Sequence, residues 1–562
     1  MKIAVLGSYS TQILVNELKK ENNKNKYYES EYDQIDQEII NQKSGLYKFN
    51  PEIIIIHETL ISFKNRFYHY KAKLNDFNDH SIERLKKHCS TLEKSIQNIK
   101  IIYTSYDLNC DLVYGNYYSK IPTSFDSQLF LFNYRLINFS SKKENFFLLD
   151  INKLALNHPN YRDERMLINF DIHFSIPFTK ILAKNLKKLI NTINGDFIKC
   201  IILDLDNTIW GGSIGEDGLE NIKIGDLGIG KAFSNLQIWL KSLKKRGIIL
   251  CVCSKNNESI AKEPFIKHSE MILKLDDIAV FVANWKNKVE NIRSIKNILN
   301  IDFSSMIFLD DSPFERNLIK ENISDIKVPD LPKDPSKYLS FLQNQNLFEI
   351  TNYSNLDEER TKLYQITEKR QKLKTASFNI RDYLKALKMN ALIDNINNEN
   401  ISRVHQLIQR SNQFNSRTIR YEKSEIINFL NDDEYLTYVI SLDDNYGKNG
   451  IIACAILKTI DQKTIFLDTL VMSCRVFNRG VEFFLIDFLK KELIKSNFKF
   501  LMLEWIPSER NILIEKFYRK LGYVDFKNKI ETKELEYIPI NKFYIKLNKG
   551  VHIEKRKNIN PT

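Results

Sequence analysis

The chain lacks the features that place many proteins in a class at once. It has no run of about 18 apolar residues, so no transmembrane helix is expected. Its start, Met1-Lys2-Ile3-Ala4-Val5-Leu6-Gly7, is too short for the apolar region of a signal peptide and reads as a strand. Cysteine is sparse: the seven residues Cys89, Cys110, Cys200, Cys251, Cys253, Cys454 and Cys474 are odd in number and scattered through 562 positions. Cys200, Cys251, Cys253 and Cys454 lie in apolar strand-like runs, which suits reduced thiols and not a disulfide framework. Cys251-x-Cys253 has no second pair, so core packing is expected there, not a metal. Internal repeats and low-complexity linkers are absent. Together these absences predict a cytoplasmic protein. Asp and Glu (70) are outnumbered by Lys and Arg (83), for a formal charge of +13, yet no dense basic block exists. Neither nucleic acid nor a membrane is expected as a partner, whereas an acidic protein is compatible with the charge.

What is present is a long chain with 43% apolar residues, enough for three or four well-formed domains at roughly 100–200 residues each. The most informative stretch is Cys200-Ile-Ile-Leu-Asp204-Leu-Asp206-Asn-Thr-Ile-Trp-Gly-Gly212. An apolar run ends in two carboxylates, and the C-terminal end of a buried strand is where open parallel sheets place their sites. Strand residues i and i+2 point to the same side, so Asp204 and Asp206 are expected to crowd together and repel unless a cation or proton offsets them. Two more apolar runs end in polar residues, Ile248–Cys253 at Ser254-Lys255 and Met306–Leu309 at Asp310-Asp311. Between them, Asn284-Trp-Lys286-Asn-Lys288 heads a helix-like stretch, and helical phase does not choose between the two lysines.

This order of Asp-x-Asp, Ser, Lys and Asp-Asp resembles the haloacid dehalogenase (HAD) superfamily. The resemblance implies Asp204 as a nucleophile that forms an aspartyl-phosphate, and Asp206 as the acid that protonates the leaving group and then activates water. It implies that Ser254 and Lys288 hold phosphoryl oxygens and that Mg²⁺ is bound among Asp204, Asp206, Asp310 and Asp311. The insert Gly211–Gly218 is short and glycine-rich, so a flap is expected and not a cap domain, leaving room for a substrate tethered to a macromolecule.

Residues 1–195 alternate strands and charged helices and are faintly similar to SGNH hydrolases, with Ser8 after the first strand and Asp171-Ile-His173 late. The usual Gly-Asp-Ser is replaced by Gly7-Ser8-Tyr9, so a degenerate or docking domain is expected. Residues 196–345 form the HAD-like domain, 346–390 a helical connector in which Glu358-Glu359-Arg360 and Glu368-Lys369-Arg370 are solvated, 391–548 a last domain and 549–562 a flexible tail.

In the last domain a strand enters Ser473-Cys474-Arg475-Val-Phe-Asn478-Arg479-Gly480, followed by an apolar helix. This resembles the pyrophosphate loop of GNAT acyltransferases with Asn in place of the middle Gly, as do Asn511 and Phe517-Tyr518 before Gly522-Tyr523. The resemblance implies that Arg475, Asn478, Arg479 and Gly480 receive the phosphate of phosphopantetheine on a carrier protein, or of CoA. Cys474 stands at the loop mouth, where a helix start and Arg475 favour the thiolate, with His405 as a base to serve it. Arg403-Val-His405-Gln406 and Asn412-Gln-Phe-Asn415 with Arg417 form a second constellation.

The expected fold is a multidomain α/β chain: an SGNH-like N-terminal domain, a HAD Rossmannoid domain and a C-terminal GNAT-like α+β domain. This combination resembles the FkbH-like family of bifunctional glyceryltransferase/phosphatases. That resemblance implies loading of a glyceryl group from 1,3-bisphosphoglycerate, removal of its phosphate, and transfer to an acyl carrier protein, with Cys474 as the relay thiol. The alternatives are an acyl-CoA-dependent acyltransferase with a HAD phosphatase domain in surface polysaccharide synthesis, or a non-enzymatic assembly scaffold.

Overall fold

The computed structural model describes residues 1–351, 353, 361, 363–366, 370, 380–477, 479–508, 510–521 and 536–539. Glu358-Glu359-Arg360, Glu368-Lys369, Asn478, Gly522-Tyr523 and the 549–562 tail lie outside these residues. The chain divides into two compact units, Met1–Asn191 and Thr192–Thr562.

The first unit is built on five parallel strands, β1 (Lys2–Gly7), β2 (Lys26–Glu29), β3 (Ile53–His57), β4 (Lys100–Thr104) and β5 (Phe146–Leu149), in the order β2-β1-β3-β4-β5. The four consecutive isoleucines of β3 are fully buried, as a central parallel strand covered on both faces requires. Helices Phe77–Ser95 and Phe125–Ser140 pack on one another and contribute Leu85, Leu92, Leu129 and Phe132 to that core. Strand β2, Lys-Tyr-Tyr-Glu, has no apolar run to announce it; it is a partly exposed edge.

The second unit contains two sheets. The first has four parallel strands, β6 (Cys200–Leu203), β7 (Ile249–Ser254), β8 (Ile278–Ala283) and β9 (Met306–Leu309), in the order β8-β7-β6-β9. The chain winds outward from β6 through β7 to β8 and then returns to the other side of β6. That reversal opens a crevice at the C-terminal ends of β6 and β9. Leu203 lies opposite Leu309 in register, so Asp204 and Asp310 leave adjacent strands at the same level.

The second sheet runs in sequence order: β10 (Asn390–Asp394), β11 (Tyr435–Asp444), β12 (Gly447–Thr459), β13 (Thr464–Met472), β14 (Phe500–Leu503) and β15 (Glu536–Pro539). All pairs are antiparallel except β13–β14. That parallel pair spans only Thr464–Leu467, so the last part of β13 runs on past β14. Ala453, Ala455 and Leu457 face the cluster under helices Val481–Lys495 and Ile512–Lys520, while Cys454 and Ile456 face Val404 and Ile408 of helix Ile401–Arg410. The architecture is thus multidomain α/β, with two parallel layers followed by an α+β domain on a largely antiparallel sheet. Among the described residues no helix is long and apolar enough to cross a membrane.

Candidate phosphoryl-transfer and acyl-transfer sites

The carboxyls of Asp204, Asp310 and Asp311 converge at the crevice, with one oxygen from each within 4.8 Å of the others. The Nζ of Lys288 sits 2.9 Å from Asp204 Oδ1 and donates to Asp310 Oδ2 at 2.6 Å. Lys288 is the first residue of helix Lys288–Leu299, whose N-cap Asn287 accepts the N–H of Val289. That start turns Lys288 inward, and it is buried, whereas Lys286 is exposed. Burial alone would push the Lys288 ammonium down, but Asp204 and Asp310 outweigh it and hold it above the ordinary lysine range. Burial, then the charge of Asp204, raises both Asp310 and Asp311 above the usual carboxylate range. Ser254 ends β7, is buried, and its carbonyl accepts the N–H of Asn284 at 3.2 Å, tying the lysine loop to the strand.

Asp206 does not join the carboxylate cluster as a side-chain ligand. Strand β6 ends at Leu203, so the two-residue alternation expected to align Asp204 with Asp206 does not extend through the motif. The Asp206 carboxylate turns to the flap instead. It accepts from Trp210 Nε1 at 2.9 Å and the N–H of Ile214 at 3.1 Å, with Asn256 Nδ2 at 3.3 Å. Burial is the largest influence on it and pushes its carboxyl up. Gly212 turns the flap at a φ of 92°, where a Cβ would lie 2.6 Å from the Asp217 carboxylate. Two further residues emerge as supports. The N–H of Asp311 donates to Thr208 Oγ1 at 3.1 Å, and Arg316 Nη1 donates to the carbonyls of Asp310 and Asp311 at 2.9 and 2.7 Å. Trp285 and Phe314, next to the lysine loop and to Asp310-Asp311, are exposed.

In the C-terminal domain, Cys474 lies in a short 3₁₀ turn, Cys474–Val476, and lines a cavity of ≈ 580 Å³. The cavity wall belongs to both sheets of the second unit: Lys199, Asn300 and Asp302 come from the phosphatase-like side, Arg403, Arg410 and Arg475 from the other. Asn300 Nδ2 donates to the Cys474 carbonyl at 2.5 Å. Cations lining the cavity, Lys448 and Arg510 included, number six against the three carboxylates of Asp302, Asp394 and Glu399.

Several expected members of this site are placed elsewhere. His405 is not a base for Cys474: it sits off the helix face carrying Arg403, Gln406 and Arg410, with Gln409 Nε2 at 3.2 Å and Glu422 Oε2 at 3.5 Å. Gly480 does take the left-handed conformation, φ 86°, as N-cap of helix Val481–Lys495, whereas Cys474 belongs to the preceding 3₁₀ turn. Arg479 points inward, donating to the Arg475 carbonyl at 2.7 Å and approaching Asp444. Burial pushes its guanidinium down. Arg475 lines the cavity, its Nε donating to Ser473 Oγ at 3.2 Å.

In the N-terminal unit the Ser8, Asp171 and His173 set is not assembled. Ser8 Oγ accepts the N–H of Thr59 at 2.8 Å, and Asp171 accepts from Tyr32 at 2.7 Å. His173 Nε2 is 3.4 Å from Asp107, which also pairs with Arg162. Asp107 follows β4 in a loop with no motif to mark it.

The family model "FkbH, N-terminal domain" matches residues 2–191. The chain is similar to the N-terminal part of the protein BF1531 from Bacteroides fragilis, described as containing a phosphatase domain complexed with Mg. The two are 41% identical, covering 63% of this chain and 94% of that one, with a TM-score of 0.60. A segment is also matched to the ribosomal-protein-S18-alanine N-acetyltransferase of Escherichia coli at 17% identity, covering 27% of this chain and 94% of that one, with a TM-score of 0.21. No curated protein matches the chain.

Proposed function

The chain belongs to the FkbH-like family, and on that premise we propose that it is a bifunctional phosphatase and acyltransferase. The observation that carries the first activity is the buried group of Asp204, Asp310 and Asp311 joined by Lys288 at a topological switch point. Three carboxylates offer only hard oxygen donors, which fit Mg²⁺, the ion named with the Bacteroides relative. Asp204, Asp310 and Asp311 would hold it, and when bound it neutralises charge on a phosphoryl group.

The chain's own residues do the rest. An oxygen of Asp204 attacks phosphorus, forming an aspartyl-phosphate as the bond to the leaving oxygen breaks. Lys288 and Ser254 hold the phosphoryl oxygens. Asp206, raised by burial, carries the proton that the leaving oxygen takes, then receives a proton from the water that hydrolyses the intermediate. The small flap and the exposed Trp285 and Phe314 leave the mouth open to a substrate carried on a larger molecule.

For the second activity the proposed donor is 1,3-bisphosphoglycerate and the acceptor the phosphopantetheine thiol of an acyl carrier protein. The Cys474 thiolate attacks the acyl phosphate; a C–S bond forms, the C–O bond to phosphate breaks, and phosphate leaves. The remaining phosphate ester is hydrolysed at Asp204, and the glyceryl group passes to the carrier thiol as the Cys474 thiolate departs. The surplus of cations around Cys474 supports a phosphorylated acyl group. Mass spectrometry after incubation with 1,3-bisphosphoglycerate tests the whole scheme. Asp204→Asn is expected to accumulate phosphoglycerate on Cys474 and Cys474→Ser to carry none; absence of any acyl-enzyme in Asp204→Asn refutes the relay.

A further inference from the structure

In a sheet where two parallel strands part, an extended arm carrying amides, such as pantetheine, has an obvious seat: the exposed strand edge, paired as an added strand would be. Here that edge is the part of β13 beyond Leu467. It is not free. The N–H of Met472 donates to the Phe414 carbonyl at 3.0 Å, and the N–H of Ser416 donates to the Leu470 carbonyl at 3.2 Å. Asn415 thus forms an antiparallel bridge with Val471. On its other side the same segment accepts the N–H of Ile506 at the Ser416 carbonyl, 2.9 Å. Phe414–Ser416 is therefore a segment of the chain itself that fills the opening, bridged to β13 through Asn415 in the place of an added strand.

The segment is fastened at both ends. Asn511 Nδ2 donates to the Asn415 carbonyl at 3.0 Å, and the N–H of Thr418 donates to Asn415 Oδ1 at 2.8 Å. Phe414 packs between Phe477 and Phe517. Arg417 ties the segment to both parted strands, pairing with Asp468 and donating to Glu504 at 2.6 Å. Asn415, Ser416 and Asn511 are buried.

The helix start carries an acidic side chain as well. Glu482, in the first turn of helix Val481–Lys495, is buried, and burial pushes its carboxyl up. A buried acidic side chain in that turn disfavours an added phosphate. Arg479 turns inward, to the Arg475 carbonyl.

Cys474 is reached from another direction. The ≈ 580 Å³ cavity opens on it from the side of the phosphatase-like domain and falls in the size range of small-molecule sites, ~300–1,000 Å³. We propose that the pantetheine arm of the acyl acceptor reaches Cys474 through this cavity, with Asn300 and Asp302 of the phosphatase-like domain forming one wall of its path. This route rests on Cys474 being the acyl relay. It makes the acyl-transfer chamber a joint product of two domains.

Bromoacetyl-pantetheine tests it on the full chain. The Cys474 thiolate displaces bromide, a C–S bond replacing the C–Br bond, and peptide mapping locates the adduct. Asp302→Trp, which fills the cavity from the phosphatase-like side, is expected to slow labelling of Cys474 at least tenfold. Its labelling by iodoacetamide should change less than threefold, and far-UV circular dichroism should match the parent. Phe414→Ala, which loosens the inserted segment, should not accelerate pantetheine labelling. The same slowing is expected with bromoacetyl-CoA and with a bromoacetylated holo carrier protein, and the faster of the two in the parent identifies the carrier of the arm. Labelling unchanged in Asp302→Trp, or accelerated tenfold in Phe414→Ala, overturns the route while leaving the relay standing. A parent that iodoacetamide labels at Cys474 and bromoacetyl-pantetheine does not removes both.

Discussion

Replacing Lys288 with Met isolates the electrostatic role of one buried cation. Its Nζ is shared between Asp204 at 2.9 Å and Asp310 at 2.6 Å, with Asp311 in the same cluster. Met keeps most of the side-chain volume, so the change is chiefly the loss of the charge. Removing one partner of a buried ion pair costs about 3–5 kcal/mol, because the other charge is left buried and uncompensated. That is a large share of the ~5–15 kcal/mol by which domains are stable. The deficit is expected in EDTA at pH 8, from urea unfolding followed by tryptophan fluorescence; Trp210 is buried in this domain and donates to Asp206. Two dependences follow. Mg²⁺ at 100 times its dissociation constant should restore about 2.7 kcal/mol. Acid should help too: Asp310 already stands above its ordinary value through burial and Asp204, and without Lys288 it rises further. A carboxyl raised in the folded state stabilises when protonated, and that contribution is lost as pH rises through its folded value. The deficit should therefore shrink between pH 8 and pH 5. A loss below about 1 kcal/mol in EDTA at pH 8, or a deficit that grows on acidification, would show that the carboxylates do not depend on this cation.

Other outcomes are expected. Asp204→Asn should lower phosphate release from a phosphomonoester by at least about 10³-fold, since an amide cannot attack phosphorus, and EDTA should do the same to the parent; malachite-green assays read both. Esterase activity against p-nitrophenyl acetate should not differ between the parent and Ser8→Ala or His173→Ala, because Ser8 and His173 are engaged by Thr59 and Asp107. His57 is held neutral, first by burial and then by His173, with its value lowered to about 3. The unfolded chain binds that proton more readily, so the N-terminal unit should lose stability as pH falls below about 6.5, by about 2 kcal/mol at pH 5. Chemical unfolding at pH 8 and pH 5 checks this, and His57→Phe should remove that part of the slope.

The parallel layers were legible because their strands are short apolar runs with polar stops, and Asp204 and Asp310 are fixed by the strand ends alone. Lys288 and Lys286 were not separable in sequence. The choice is made by Asn287 capping the helix, which sets the turn on which Lys288 begins. Asp206 misled because alternation was carried past Leu203, where the strand has ended. His405 misled because a residue's place on a helix says nothing of which neighbour that face meets. The segment Asn412–Asn415 stood out by composition, yet its role in filling the opening depends on partners at Leu470, Met472 and Ile506, far along the chain. Glu482 reads as an ordinary acidic residue in a first helical turn, and only the fold shows it buried.

The distribution of thiols has a practical consequence. None of the seven cysteines forms a disulfide; Cys89, Cys200, Cys251, Cys253 and Cys454 are buried, and only Cys110 and Cys474 are partly exposed. One lies in each compact unit. The natural chain therefore carries a ready attachment point for a fluorescent dye in each half, with no engineered residue. Burial, and then Asp126, pushes the Cys110 thiol up to about 11, so its modification calls for alkaline conditions. A donor on one thiol and an acceptor on the other would turn the spacing between the two halves into an optical signal, read with acyl transfer blocked because the label occupies Cys474.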